Sequence, residues 1–256
     1  SSFGDINHTA KSLQFTRPGG GVFYRYNFDD RWAWKVFGNF GMTQGADSVS
    51  NNPYKSARNL SFRTNIYEVG THFEFNFFQY EPGHKKHFFT PYIFMGVSLF
   101  YFNPQAQLEG EWHNLQPLGT EGQQFPELTG NDPYKRVQLG IPIGGGVKYS
   151  LSKHWTLGLE FSYRQLFTDY LDDVSSVYAD RSIIEDGENG DIAVQLADRS
   201  TEVDIIPIGE EGKQRGDSKR KDAFLFSGIS LSYSIQHYKC PPPGNSSSKS
   251  KKLLRW

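Results

Sequence analysis

The sequence has no long hydrophobic run, almost no net charge and a single cysteine. No apolar stretch approaches the ~20 residues that a membrane-spanning helix needs, which argues against a helical membrane protein. The formal net charge of −1 argues against a basic surface for nucleic acid. Cys240 is the one cysteine, so an internal disulfide framework is excluded, and either a free thiol or a bond to another chain is left open.

Aromatic residues and glycines are abundant, and they follow a two-residue period. Between Val137 and Leu151 the odd positions are apolar apart from Gly145, while the even positions hold Gly, Pro, Gln, Lys and Ser. The alternation resumes from Trp155 to Arg164. Because side chains alternate across a strand, this pattern predicts a β-hairpin with one apolar and one polar face. Glycines and full charges on the polar face favour a small enclosed lumen, with the apolar face turned to lipid.

The same alternation elsewhere gives eight strand candidates. They are Ser1–Ile6 (as the end of a first strand), Gly20–Phe28, Trp32–Thr43, Ser61–Phe77, Pro91–Tyr101, Val137–Leu151, Trp155–Arg164 and Asp222–Gln236.

Connection lengths alternate strictly along the chain. Asp29–Arg31, Glu81–His87 and Ser152–His154 are short, and the other four connections are long. Outer-membrane barrels have short periplasmic turns, longer external loops and an even strand count. The sequence therefore predicts an all-β fold: an eight-stranded antiparallel transmembrane β-barrel over residues 1–238, in an outer membrane with both termini periplasmic. A soluble lipocalin-type carrier is a weaker alternative, since it has no reason to separate loop lengths by end.

The polar faces of these strands place seven charged residues in the predicted lumen. They are Arg25, Lys35, Glu68, Glu74, Lys148, Glu160 and Arg164. An eight-stranded barrel is just wide enough for side chains to fill. Buried ions need partners, so we predict an ion-pair network with a structural role. A proton relay or a narrow pore is the alternative interpretation.

Other motifs do not indicate catalysis or a cofactor. Glu68, Glu74 and Glu160 resemble acid–base carboxylates, but their regular inward placement fits the lumen network better, and no Ser–His nucleophile signature is found. Neither glycine run is followed by Lys-Ser/Thr, as a phosphate loop requires. Asp169, Asp172, Asp173 and the DGENGD segment lack EF-hand spacing, and are interpreted as a solvated acidic loop. We therefore expect no enzyme activity, cofactor or metal site.

The C-terminal residues 239–256 form a separate predicted tail. Three prolines at 241–243 follow Cys240 and would hold the next residues away from the barrel. The last segment, KSKKLLRW, is basic with apolar anchors. It is either a disordered end or a docking peptide.

Four segments of the sequence resemble one protein family. These are NPYKSARNLSFRTNIYEVGTHFEFNFF (52–78), FTPYIFMGVSLFYFNPQA (89–106), LQPLGTEGQ (115–123) and PIGGGVKYSLSKHWTLGLEFSYRQLFTDYLDDVSS (142–176). Together they resemble the outer-membrane barrel component of the type IX secretion system of Bacteroidetes, the PorG-like family. The likeness covers most of the chain up to about Tyr170 and does not extend to residues 174–221 or to the tail.

The resemblance implies a non-enzymatic protein that contacts the periplasmic ring of the secretion machine, which is built of a lipoprotein and its soluble partner. The short turns and the tail are then the expected contacts, and Cys240 could form an intermolecular disulfide to the ring lipoprotein. The expected contact residues are Asp29, Asp30, Arg31, His84, Lys85, Lys86, Ser152, Lys153, His154 and Cys240. A free-standing small barrel, either an OmpA-like stabiliser or a lipid-modifying enzyme, is the alternative.

Overall fold

A computed structural model of the chain describes residues 2–6, 17–203, 207–219 and 221–235. The described residues form nine strands. They are β1 (Ser2–Phe3), β2 (Gly20–Asn27), β3 (Trp32–Ala46), β4 (Ser61–Asn76), β5 (Phe89–Leu108), β6 (Glu111–Asn114), β7 (Val137–Ser150), β8 (Trp155–Leu166) and β9 (Ala223–Tyr233). The predicted tail 239–256, with Cys240, lies outside these residues.

All strand pairs are antiparallel and belong to one sheet. Its order is β1-β9-β8-β7-β5-β4-β3-β2, and β6 pairs with the C-terminal end of β5. The two-residue period sets the faces: along β8 the even residues Thr156, Gly158, Ser162 and Arg164 are buried, and the odd residues from Trp155 to Tyr163 are exposed. The all-β antiparallel prediction is therefore confirmed.

The strand count and the closure differ from the prediction. The first predicted strand, Ser1–Ile6, is reduced to the two residues of β1, and β6 is a strand that was not predicted. Within the described ranges no backbone pairing joins β2 to β9, so the sheet is not closed. Ser2 pairs with Phe224, which places the first described residue at the long-loop end of β9. The prediction of periplasmic termini has no support here.

The long connections carry structure that their polar composition does not predict. β5 continues to Leu108 and turns back into β6 through Glu109 and Gly110, which both have positive φ (52° and 92°), as tight hairpin turns require. Five helices lie in the long connections: α1 (Pro53–Arg58), α2 (Leu115–Leu118), α3 (Pro126–Thr129), α4 (Arg181–Glu185) and α5 (Gly190–Ala197).

These segments pack together into what we call the loop cap, formed by residues 47–60, 109–136 and 168–222 as far as they are described. Its apolar core includes Leu118, Ile184 and Leu196. None of the helices in the described residues is long and apolar enough to cross a membrane.

Candidate functional site

The structure brings the seven charged residues of the predicted lumen to the inner face of the sheet. They come from the five strands β2, β3, β4, β7 and β8. Five of the seven are buried, and Arg25 and Glu160 are partly buried. We call this set, with His72 and Tyr92, the inner network. The strand register explains the grouping. Lys35 lies opposite Arg25 of β2 on one side and opposite His72 of β4 on the other, and Glu74 is two residues from His72.

Glu74 is the centre of the inner network. Its carboxylate accepts hydrogen bonds from Arg25 Nε (3.1 Å) and Lys148 Nζ (2.5 Å). His72 Nε2 lies 3.2 Å from the same carboxylate. Lys148 also donates to Asn76 (2.9 Å). One carboxylate is therefore shared by two cations, each of which would be a costly unpaired buried charge without it.

The other two acids each have their own cation. Arg164 binds Glu68 with two nitrogens, each 3.1 Å from a carboxylate oxygen, and Asn39 donates to Glu68 as well (3.0 Å). Lys35 Nζ lies 2.7 Å from Glu160, which also accepts from the Tyr92 hydroxyl (2.7 Å). All three carboxylates are thus engaged by cations, so none is placed as a free acid or base.

One group of side chains in the described residues has metal-ligand spacing. Atoms of His72, Glu74 and Glu160 lie within 4.8 Å of one another. The oxygens of Glu74 already face Arg25 and Lys148, and Glu160 faces Lys35. A metal ion would have to displace these cations, so this donor set fits an ion-pair network better than a metal.

The three short turns form one surface, which we call the short-turn face. Asp29 accepts from the backbone of Arg31 and Trp32 (2.7 Å each), and the Asp30 carbonyl accepts from Tyr80 N (3.1 Å). Gly83 has φ +81°, and a Cβ on it would lie 2.6 Å from Lys153 Cα. The 81–87 connection therefore packs directly on the 152–154 turn.

The predicted contact residues lie on this face. Asp29, Arg31, His84, Lys85, Lys86, Ser152, Lys153 and His154 are exposed, and Asp30 is partly buried. Ser152 Oγ accepts from the backbone of His154 and Trp155, which fixes the β7–β8 turn. Cys240, the remaining predicted contact, is not among the described residues.

The loop cap contains a second set of buried charges, which the sequence did not indicate. Arg58 binds Asp47 with two nitrogens (2.6 and 2.9 Å) and donates to the Arg215 carbonyl. Arg215 in turn lies 2.9 Å from Glu121, whose carboxylate also accepts from the Ser175 backbone (2.9 Å). These pairs connect loops that are far apart in sequence.

The prediction of a solvated acidic loop is confirmed for the DGENGD segment, where Asp186, Glu188 and Asp191 are exposed, but it is wrong for the three earlier aspartates. Asp169, Asp172 and Asp173 are at most 3% exposed, and Leu171 between them packs in one apolar cluster with Tyr134 and with Phe224 of β9. Burial raises the pKa of Asp172 to about 8, with further repulsion from Asp5, and the pKa of Asp169 to about 7. The pKa of Asp222 is raised by burial and by the neighbouring Asp172.

Comparisons with known proteins give limited matches. A family model described as "Domain of unknown function (DUF6089)" matches residues 2–117. Among solved structures, Ail, the attachment invasion locus protein of Yersinia pestis, is similar with 14% identity and a TM-score of 0.29, over 58% of this chain and 72% of that chain. No curated protein matches the sequence.

Proposed function

We propose that this protein is an outer-membrane β-barrel and a non-enzymatic component of the type IX protein secretion machinery. The observation that carries the membrane assignment is the inverted distribution of polarity along the strands. Outward residues such as Val22 (78% exposed), Val69 (62%) and Ile229 (79%) are apolar, while Glu74 and Glu68 on the inner face are at most 1% exposed. A membrane barrel has this arrangement, with lipid outside and a polar interior.

The size of the apolar surface supports the same assignment. Exposed Val, Ile, Leu, Met and aromatic side chains lie along the outer face of every long strand. Many are cross-strand neighbours, so they form a continuous apolar surface. Soluble monomers rarely expose contiguous apolar patches of more than a few hundred Å². Lipid contact would make this surface favourable.

Aromatic residues concentrate at the short-turn end of the strands. Trp32, Phe77, Phe78, Tyr149 and Trp155 are all 44–55% exposed there. Tyr and Trp are enriched where a membrane meets water. This edge of the apolar surface therefore fits the interface on the short-turn side, and the short-turn face would project beyond it into the periplasm.

A structural role fits the inner network better than an enzymatic one. Each carboxylate is held by a cation, and the network links β2, β3, β4, β7 and β8 across the interior. Such cross-links would hold a narrow barrel in shape.

The secretion assignment depends on the sequence resemblance of residues 52–78, 89–106, 115–123 and 142–176 to the PorG-like family. In that assignment the short-turn face, with Arg31, Lys85 and Lys153 exposed on it, contacts the periplasmic lipoprotein ring. A second contact is a disulfide from Cys240 to the ring lipoprotein.

A pull-down from detergent-solubilised membranes tests the proposal. The tagged protein should fractionate with the outer membrane and co-purify large periplasmic ring proteins. Replacing Lys85, Lys86 and Lys153 together with Ser should reduce the co-purified ring, whereas Glu109→Ser at the opposite end should leave it unchanged. A membrane-bound protein that purifies alone and acts on lipid would instead indicate the free-standing barrel.

The disulfide is tested separately by non-reducing electrophoresis. Wild type should give a mixed-disulfide band that Cys240→Ser abolishes. Absence of the band in wild type, or its persistence in the variant, contradicts the disulfide.

A further inference from the structure

The outward face of the sheet changes from apolar to polar near the long-loop end of the strands. On β4 the outward side chains from Phe75 to Tyr67 are apolar apart from Thr71, and the next outward residues are Asn65 and Arg63. The ladder sets this boundary at one level on four strands, through the neighbours Phe40, Tyr67, Tyr101 and Val137. On the proposed membrane assignment, this level is the interface on the long-loop side, where tyrosines are enriched.

Two arginines lie immediately beyond this boundary, and each stacks on an aromatic ring. Arg63 Cζ lies 3.6 Å from the centre of the Trp112 ring, and Arg136 Cζ lies 5.7 Å from the centre of the Tyr101 ring. Both arginines are partly exposed. A cation–π contact holds a guanidinium in place without neutralising its charge, so both charges stay available at the surface.

Three amide side chains connect the two arginines. Arg63 Nη2 donates to Gln105 Oε1 (2.9 Å), and Arg136 Nη1 donates to Asn103 Oδ1 (3.3 Å). Asn114 Oδ1 accepts from the amide nitrogens of both Asn103 (2.7 Å) and Gln105 (2.8 Å). These bonds fix the positions of both guanidinium groups, and we call the five residues the outer arginine site.

Neither arginine of this site forms an ion pair with an acid of the described residues. The arginines that do are Arg25, Arg58, Arg164, Arg199 and Arg215. Glu111, next to Trp112 in sequence, lies opposite Leu108 and therefore points to the other face of its ladder. A guanidinium has five N–H donors, and arginine binds phosphate through two of them at once. The outer arginine site therefore fits a phosphate group.

A largely apolar groove of about 610 Å³ runs from this site along the outward face, and we call it the outer groove. Its lining includes Gly38, Tyr67, Leu99, Tyr101 and Val137. A Cβ added at Gly38 would have no atom nearer than 4.0 Å. Tyr101 belongs to both features, because Arg136 stacks on its ring. The surface thus combines an apolar groove with a cationic end, which is the polarity of an anionic lipid reversed in charge.

We propose that this surface binds a phosphate-bearing lipid of the leaflet on the long-loop side, with its headgroup phosphate on Arg63 and Arg136 and an acyl chain in the outer groove. The proposal rests on the outer-membrane assignment, since an acyl chain reaches the groove only if the outward face lies in lipid. A soluble anion would fit the arginines alone, but it would leave the groove unused. The adjacency of the two features at Tyr101 therefore favours the lipid.

Native mass spectrometry of the intact protein, purified from membranes in a non-ionic detergent, tests the headgroup contact. The probes are dipalmitoyl phosphatidic acid and dipalmitoyl phosphatidylcholine, which share their acyl chains, and wild type should bind phosphatidic acid more tightly. Arg63→Gln and Arg136→Gln should each weaken this binding about tenfold, the size expected for a lost hydrogen bond between charged groups. Arg181→Gln, which removes an exposed arginine of α4 in the cap, is the matched control and should leave the affinity unchanged.

Gly38→Leu tests the outer groove separately. The new side chain has room at this position and would occupy part of the groove. It should weaken binding of dipalmitoyl phosphatidic acid but not of the dihexanoyl form, whereas Arg63→Gln should weaken both. Circular dichroism shows whether each variant is folded. Arg63→Lys, which keeps the charge but not the two-nitrogen contact, replaces Arg63→Gln if that variant does not fold, and its loss of affinity should be smaller.

Equal affinity for the two lipids, or unchanged affinity in the arginine variants, overturns the proposal, because the surface then makes only unselective lipid contact. Displacement of phosphatidic acid by an equal concentration of inorganic phosphate also overturns it, since the site would then take a soluble anion. Fractionation distinguishes this failure from that of the proposed function. A protein that is soluble without detergent contradicts the outer-membrane assignment, whereas an outer-membrane protein without lipid selectivity contradicts only the lipid site.

Discussion

The strand wall and the loop cap bury charges in opposite surroundings. The wall is apolar outside and charged inside, with the inner network at its centre. The loop cap has an apolar core around Leu118 and Leu196, as a soluble domain does, and its ion pairs lie beside that core. On the proposed outer-membrane assignment, the wall faces lipid and the cap faces water. The difference predicts that the two regions respond differently to the loss of a charge.

The largest effect should come from Glu74→Ala in the wall. The variant leaves both Arg25 and Lys148 without their main partner, and breaking a buried pair costs about 3–5 kcal/mol. Urea unfolding of the protein in detergent micelles would measure the change in the free energy of unfolding.

Glu210→Ala is the control for this loss. Glu210 pairs with Lys213 at 2.9 Å on the exposed surface of the cap, with both side chains more than half exposed. Such pairs contribute about 0–1 kcal/mol. If Glu74→Ala unfolds at the same urea concentration as the control, the inner network does not stabilise the wall.

The next effect should come from Arg58→Ala in the cap. The substitution leaves Asp47 buried without its cation and removes the bond to the Arg215 carbonyl. We expect the free energy of opening the cap to fall by about 3 kcal/mol. Tyr134 and Leu171 of the cap share an apolar cluster with the long-loop ends of the strands, so only the short-turn half of the wall should be unaffected.

Hydrogen exchange resolves the two regions in one experiment. Amides of α5 should lose protection in Arg58→Ala, and amides in the short-turn half of β7 and β8 should keep it. Loss of protection in both regions would show that the cap and the wall open as one unit. Arg58→Lys retains the charge but not the two-nitrogen contact, so its effect should be intermediate.

The wall was predictable from sequence because its information is local. A two-residue period places Lys148, Glu160 and Arg164 on one face without knowledge of their partners. The pairs of the cap are not local: Arg215 lies 94 residues from Glu121 in sequence. A run such as Asp169–Asp173 looks solvated when read alone, because the groups that bury it, such as Thr120, Tyr134 and Phe224, are distant in sequence.

The extent of two other strands was less predictable, for a different reason. Period-two alternation identifies a strand and its faces, but two residues of β1 are too few to show such a period. Of the predicted Ser1–Ile6 strand, only Ser2 and Phe3 pair with β9. Similarly, the extension of β5 to Leu108 was missed because Asn103, Pro104 and the glutamines have the composition of a loop.

A smaller effect should be the pH dependence of the cap. Burial and the neighbouring carboxylates raise the pKa of both Asp172 and Asp222 in the folded cap above the ordinary value of 3.8. The folded cap therefore binds more protons than the opened cap between the ordinary and the raised pKa, so its stability falls as the pH rises through this window. Hydrogen exchange of α5, corrected for intrinsic rates, should show easier opening at pH 8 than at pH 5.

Asp222→Asn sharpens this prediction. The amide oxygen can still accept from the Leu171 backbone, a bond of 2.8 Å, but the neighbouring carboxylate no longer repels Asp172. The stability of the cap should therefore depend less on pH, and the variant should gain most stability at pH 8. If the stability of the cap changes with pH as steeply as in wild type, Asp172 and Asp222 do not cause its pH dependence. The wall, whose carboxylates are held by cations, should show no matching loss between pH 5 and pH 8.

The smallest effect should come from Gly110→Ala in the β5–β6 hairpin. Gly110 has φ +92°, and a Cβ there would meet no atom within 4 Å, so the cost is conformational only. Left-handed backbone costs an L-residue about 1–2 kcal/mol, and asparagine tolerates it better than alanine. Hydrogen exchange of the β6 amides should therefore increase most in Gly110→Ala and less in Gly110→Asn, with no change in β7. If both variants behave like wild type, the hairpin contributes nothing to the order of the cap, and the comparison with the wall then rests on the buried ion pairs alone.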